Sequence, residues 1–148
     1  VQIRDPERVA RLFPHEVSGG MGQRIMIAMM LAPDPDLLIA DEPTSALDVT
    51  VRTRVLEIID GLVRERGMGL IFISHDLNLV ANFCDRILIM YAGRIVETCQ
   101  ADRLHAAQHP YTQGLLNALP DLAQPKPALE ALTRDPAWTE APSVDAFA

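Results

Sequence analysis

Three short clusters of residues carry the chemistry of this chain. Ser18-Gly19-Gly20 joins a hydroxyl to two residues that leave their backbone amides bare. At a helix start such amides point outward, and the helix dipole adds about half a positive charge, so the place suits a phosphate. The same tripeptide is also an ordinary loop-to-helix junction. Asp41-Glu42 ends the apolar run Leu37-Leu38-Ile39-Ala40. A strand ending in two acids sets them at the edge where α/β sheets bind ligands. Neighbours on a strand point to opposite sides, so the two acids have separate tasks. Plain solvation at a strand-to-loop junction is the alternative. His75 closes a second apolar run, Leu70 to Ile73, one helix farther along. A lone histidine there serves either as a proton carrier or as a satisfied polar residue.

Regular elements must hold these clusters. Ser18 stands at a helix N-cap, and the run Ile25, Ile27, Ala28, Met29, Met30, Leu31 predicts a mostly buried helix over 19–32, stopped by Pro33. Asp34-Pro35-Asp36 is a turn. The unbroken apolar run over 37–40 predicts a strand covered on both faces, as in a parallel sheet. Asp48 can cap a helix in which Val51, Val55, Ile58, Ile59 and Leu62 recur every three or four residues up to Gly67. Residues 70–73 form a second buried strand, and Leu77 to Phe83 a short helix. Arg86–Tyr91 and Gly93–Thr98 read as a hairpin turning at Ala92-Gly93. Short helices are expected at Asp102–Ala107 and Tyr111–Leu119. Five of the eleven prolines lie from Pro120 onward, where apolar periodicity fades, which predicts a loosely ordered tail over 120–148. Strands alternating with helices give an α/β class.

The chain has 148 residues, 49% of them apolar, enough for one domain with a buried core. A net charge of -7 with scattered arginines argues against a nucleic-acid surface, which needs clustered Lys and Arg. No apolar stretch approaches the ~20 residues of a membrane-spanning helix. The opening Val1-Gln2-Ile3-Arg4-Asp5 has no leader pattern and reads as the middle of a longer protein. Cys84 and Cys99 make no disulfide framework or Cys-x-x-Cys motif, and a reducing compartment is expected. His15, His105 and His109 have no carboxylate or thiol spacing that suggests zinc. Lys126, between Pro125 and Pro127, is the single lysine, so a phosphate-cradling loop Gly-x-x-x-x-Gly-Lys-Ser/Thr cannot be written in these residues.

Taken in order, the clusters resemble the ABC-type ATPases over roughly residues 14–120. Val17-Ser18-Gly19-Gly20-Met21-Gly22-Gln23-Arg24 is similar to the signature of that family, usually Leu-Ser-Gly-Gly-Gln followed by a basic or polar residue and Gln-Arg; it departs at Val17, Met21 and Gly22. A glycine at 22 costs a helix up to about 1 kcal/mol relative to alanine. Leu37 to Pro43 resembles Walker B, Ser45-Ala46-Leu47-Asp48 matches the D-loop, and Ser74-His75-Asp76-Leu77 resembles the switch-histidine loop. The resemblance implies that Ser18, Gly19, Gly20 and Met21 address ATP held by the other subunit of a dimer. It implies that Asp41 holds Mg²⁺ through water and that Glu42 polarises the attacking water, with His75 contacting the γ-phosphate and helping to hold Glu42 and that water in place. The D-loop, Ser45 to Asp48, packs across the dimer in that family.

Further stretches point to a branch. Met26-Ile27-Ala28-Met29 with Leu38-Ile39-Ala40-Asp41-Glu42-Pro43, Met90-Tyr91-Ala92-Gly93-Arg94-Ile95-Val96-Glu97 and His109-Pro110-Tyr111-Thr112-Gln113-Gly114-Leu115-Leu116 look like ATPases of dipeptide and oligopeptide importers. The last also reads simply as a proline-initiated helix with an apolar face. Some relatives carry a cysteine cluster that binds an iron–sulfur centre; with no cysteine after Cys99, none is expected here. The implied fold is the C-terminal part of an ABC-type P-loop NTPase domain: a mainly parallel sheet, flanking helices and a terminal β-hairpin over residues 1–119, then the tail. The implied protein is an ATP-hydrolysing subunit on the cytoplasmic face of a bacterial inner membrane. Its partners are a second ATPase, identical or paralogous, and permease subunits. A soluble ABC ATPase of the DNA-repair or translation type, and a truncated non-catalytic product, are the rivals. Lacking its phosphate loop, the chain alone is expected to bind ATP weakly, not to hydrolyse it, and to associate through an exposed sheet face or edge.

Overall fold

The first apolar run does form a strand. In the computed structural model, which describes residues 1–45, 47–119, 132 and 134–140, β1 covers Leu37–Asp41 and β2 covers Gly69–Ile73. They pair in parallel from Leu37 opposite Gly69 to Asp41 opposite Ile73. A parallel pair needs a crossover, and the long helix between them supplies it. The chain divides into two units, Val1–His75 and Asp76–Ala148.

Within the first unit, Pro6–Val9 is a single helical turn, α1, capped by the Asp5 carboxylate, which accepts from the Arg8 amide at 3.2 Å. A 3₁₀ turn at Pro14–Glu16 leads to α2, Gly19–Leu31. Ser18 caps α2 by accepting from the Met21 amide at 3.3 Å, which satisfies one of the donors a helix start leaves open. The helix ends two residues before Pro33, which lacks the amide to continue it. The crossover helix α3, Val49–Arg66, is capped by Asp48, which accepts from the Val51 amide at 3.0 Å. It stops at Gly67, whose φ of 64° is left-handed and suits a residue without Cβ.

The core of this unit follows the period of α3. Val55, Ile58 and Ile59 are at most 3% exposed, each contributing roughly 1.5–3 kcal/mol through burial. Leu38 and Ala40 of β1 are buried with them. The expected cover on both strand faces is not found. Leu37, Ile39, Ile71 and Ile73 remain 47–55% exposed. Register places these four on one face, and the described residues cover only the other.

In the second unit, Asp76 caps α4, Leu77–Phe83. Strands β3, Arg86–Tyr91, and β4, Arg94–Gln100, form the antiparallel hairpin, with a register shift between Ile89 and Met90. Ala92 and Gly93 turn it with φ of 47° and 78°, the sign a tight hairpin turn of matching twist demands. The helix expected at 102–107 is a 3₁₀ segment, Ala101–Ala106. After it comes α5, Pro110–Ala118, capped by the His109 ring. Most of the expected tail lies outside the described residues. Within 134–140, the turn α6, Ala137–Glu140, carries Trp138, 9% exposed, with its ring centroid 5.5 Å from Tyr91 and 5.8 Å from Tyr111. No helix among the described residues is long and apolar enough to cross a membrane.

Candidate functional site

Parallel pairing brings the ends of β1 and β2 side by side, and the two strands deliver the polar clusters there. Asp41 is the last residue of β1, opposite Ile73, and is exposed. Glu42 leaves the strand with φ of 45°, in the left-handed region that costs a residue with a Cβ roughly 1–2 kcal/mol. Its amide still donates to the Ile73 carbonyl at 3.0 Å, one step beyond the ladder. Its own carbonyl accepts from the Ser45 amide at 3.3 Å and the Ser45 hydroxyl at 3.2 Å. The kinked turn therefore aims the Glu42 carboxylate across to the end of β2.

There it meets His75. The His75 amide donates to Glu42 Oε1 at 2.9 Å, and Nδ1 of the same residue lies 2.7 Å from that oxygen. One carboxylate oxygen thus takes two partners from one residue. The His75 side chain is 80% exposed and that of Glu42 34%, so the pair opens to solvent. With Nδ1 as the donor toward Glu42, Nε2 is the nitrogen left to face an incoming group. A carboxylate held in this way can accept a proton from a water, and the imidazole fixes its orientation.

Among the described residues no three His, Cys, Asp or Glu side chains gather closely enough to enclose a metal ion. Mg²⁺ keeps several waters and takes one or two carboxylates plus phosphate oxygens rather than an all-protein cage. Asp41, a single exposed carboxylate at the strand end, fits such a share.

Ser18 and Gly19 are exposed at the start of α2. The Ser18 hydroxyl accepts from Met21, so its own proton stays available to a ligand. Of the residues over 45–48, Ser45 is committed to the Glu42 carbonyl, Asp48 to the cap of α3, and Leu47 is half-buried, while Ala46 lies outside the described residues.

Two features escaped the sequence reading. Gln23 Nε2 donates to the Pro43 carbonyl at 2.5 Å, linking α2 to the residue after Glu42. A Cβ at Gly20 would lie 2.4 Å from Val51 Cγ1, so the second glycine is required by the approach of α2 to α3. The available signal was energetic: a glycine in a helix needs a reason. The sequence marks Gln23 only as part of the signature's Gln-Arg, with no partner of its own.

Comparison with known proteins follows the same motifs. Residues 1–45 match the ABC transporter family. The chain is 51% identical over 133 residues to the dipeptide transport ATP-binding protein DppD of Escherichia coli (strain K12), covering 89% of this chain and 41% of that protein. It is 49% identical over 151 residues to the oligopeptide transport ATP-binding protein OppD of Bacillus subtilis (strain 168), covering 100% of this chain and 42% of that one. The chain thus spans about two-fifths of the length of these relatives. Among solved structures, the ATP-binding cassette MJ0796, a dimer bound to ADP and Pi in a post-hydrolysis state, matches 64% of this chain and 40% of its own with a TM-score of 0.56 at 33% identity. CbiO1 from Clostridium perfringens, part of the ABC transporter complex cbiONQ, matches 62% of this chain and 37% of its own with a TM-score of 0.58 at 30% identity.

Proposed function

This chain belongs to the ABC transporter ATP-binding proteins, and from that premise we propose that it is the distal part of an ATPase driving a peptide-class importer. The observation that carries the reading is the 2.7 Å contact between Glu42 and His75 at the ends of two parallel strands. Hydrolysis of a phosphoanhydride needs a positioned water, charge neutralisation and a proton acceptor more than covalent help. Glu42 takes the proton of the attacking water, and His75 holds the carboxylate and faces the γ-phosphate. Asp41 would hold a Mg²⁺ ion, which when bound would supply charge neutralisation for the phosphates. Ser18, Gly19, Gly20 and Met21 address the nucleotide of a second ATPase subunit, across which Ser45 to Asp48 pack. Two relatives are named for dipeptide and oligopeptide transport, which supports a peptide-class solute. Membrane permease subunits are its partners in this reading. The protein sits peripherally on the cytoplasmic face of the membrane.

The test joins this chain to the preceding segment of a dipeptide-transport relative that carries a phosphate loop. The chimera hydrolyses ATP with Mg²⁺, and Glu42→Gln lowers kcat by about 10²-fold or more while nucleotide binding persists. The unjoined chain serves as the inactive control. A folded chimera whose hydrolysis is indifferent to Glu42→Gln contradicts the reading.

A further inference from the structure

We propose that Gln23 is a positioning residue for Glu42. The inference rests on the reading of Glu42 given above. Glu42 adopts a left-handed φ of 45° that its side chain does not favour, so contacts around the turn must hold it there. Inside the turn, Ser45 holds the Glu42 carbonyl through its amide and its hydroxyl. The next carbonyl, that of Pro43, is held from outside by the Gln23 side-chain amide at 2.5 Å. Pro43 is buried, so a carbonyl deprived of that donor has little access to water in exchange.

The clamp comes from the helix that opens at Ser18. Gln23 lies in α2 one turn beyond Gly19 and Gly20. The same helix start touches the far end of the loop: Cβ atoms built at Gly19 and Gly20 would lie 3.8 Å from Leu47 Cδ2 and 2.4 Å from Val51 Cγ1. Helix α2 therefore grips the segment after Glu42 at both ends, at Pro43 and at Leu47 to Val51.

The readout is local. The His75 amide donates to Glu42 Oε1 at 2.9 Å, so its hydrogen exchange reports where the Glu42 carboxylate sits. Exchange is measured by NMR on the chimera described above and two variants of it. Gln23→Glu keeps the shape and replaces the donor with an acceptor; Gln23→Met removes the donor at similar volume. In both, the His75 amide exchanges about fivefold or more faster, the effect of one hydrogen bond, while the ladder amides of β1 and β2 stay within about twofold. The His75 ring resonances shift at the same time. Unchanged His75 exchange in both variants overturns the proposal. So does acceleration of the ladder amides in step with His75, or loss of the ladder in both variants, since either makes Gln23 merely structural. No nucleotide is involved, so this result is independent of whether Glu42 acts on water. In the active chimera, Gln23→Glu lowers kcat with KM unchanged.

Discussion

Gly22 stands in the first turn of α2 with Val17 Cγ2, 4.0 Å from where its Cβ would be, as the nearest neighbour. Packing does not require a glycine there, and its φ is not left-handed. Gly22→Ala is expected to stabilise the chain by about 0.5–1 kcal/mol, read as a higher urea midpoint at unchanged slope. A lowered midpoint would show that the loose first turn is needed for the native helix. Gly20, two residues earlier, has the opposite environment, and the motif alone could not separate the two. Strand ends place Glu42 and His75 at one edge of the sheet, but residue type leaves plain solvation open, and only the family resemblance singles the two out. The left-handed turn at Glu42 and the Gln23 bond were not legible, because both depend on where α2 lies in space. The cysteines belong to neither set. Burial, and then the charge of Asp85 for Cys84 or Glu97 for Cys99, pushes both thiols up from their ordinary range, away from the reactive thiolate.

Helices α2 and α3 begin side by side, each with a polar N-cap, and the contact of Gly20 with Val51 sets their separation. Gly20→Ala is expected to destabilise the chain by about 1–3 kcal/mol through overpacking, and Val51→Ala in the same molecule to recover at least half of that. Thermal or urea unfolding of the single and double variants measures the coupling; strictly additive losses would refute it. From α2 to α5 the order of elements was legible, since periods of 3.6 and 2, caps and breakers are local; the single turns α1, Pro14–Glu16 and α6 were not foreseen. Most bounds differ by a residue or two, as helix and strand ends do. The hairpin extends to Gln100 rather than Thr98 because Arg86 pairs with Gln100. The short helix after it tightened to a 3₁₀ segment, which residue types do not distinguish from α. The open face of β1 and β2 departs from the strand-level reading of cover on both faces but agrees with the exposed sheet face or edge expected of the chain alone. An apolar run says that cover is wanted, not that these residues supply it.

At the scale of the molecule, that open face and the missing phosphate loop belong together. Leu37, Ile39, Ile71 and Ile73 form an apolar surface on a chain that spans about two-fifths of its relatives. Alone, such a face favours association. The site is likewise divided: Glu42 and His75 meet within the chain, whereas Ser18 and Gly19 stand exposed with no phosphate loop beside them in these residues. If each protomer lends its signature to the other's nucleotide, two different defects must complement. The decisive measurement mixes the active chimera bearing Ser18→Glu with the same chimera bearing Glu42→Gln, each inactive by itself. Random pairing leaves half the dimers mixed, each with one intact composite site, so the account predicts Mg²⁺-dependent hydrolysis at roughly a quarter of the unmutated rate. A mixture that pairs freely and stays as inactive as its components would contradict it.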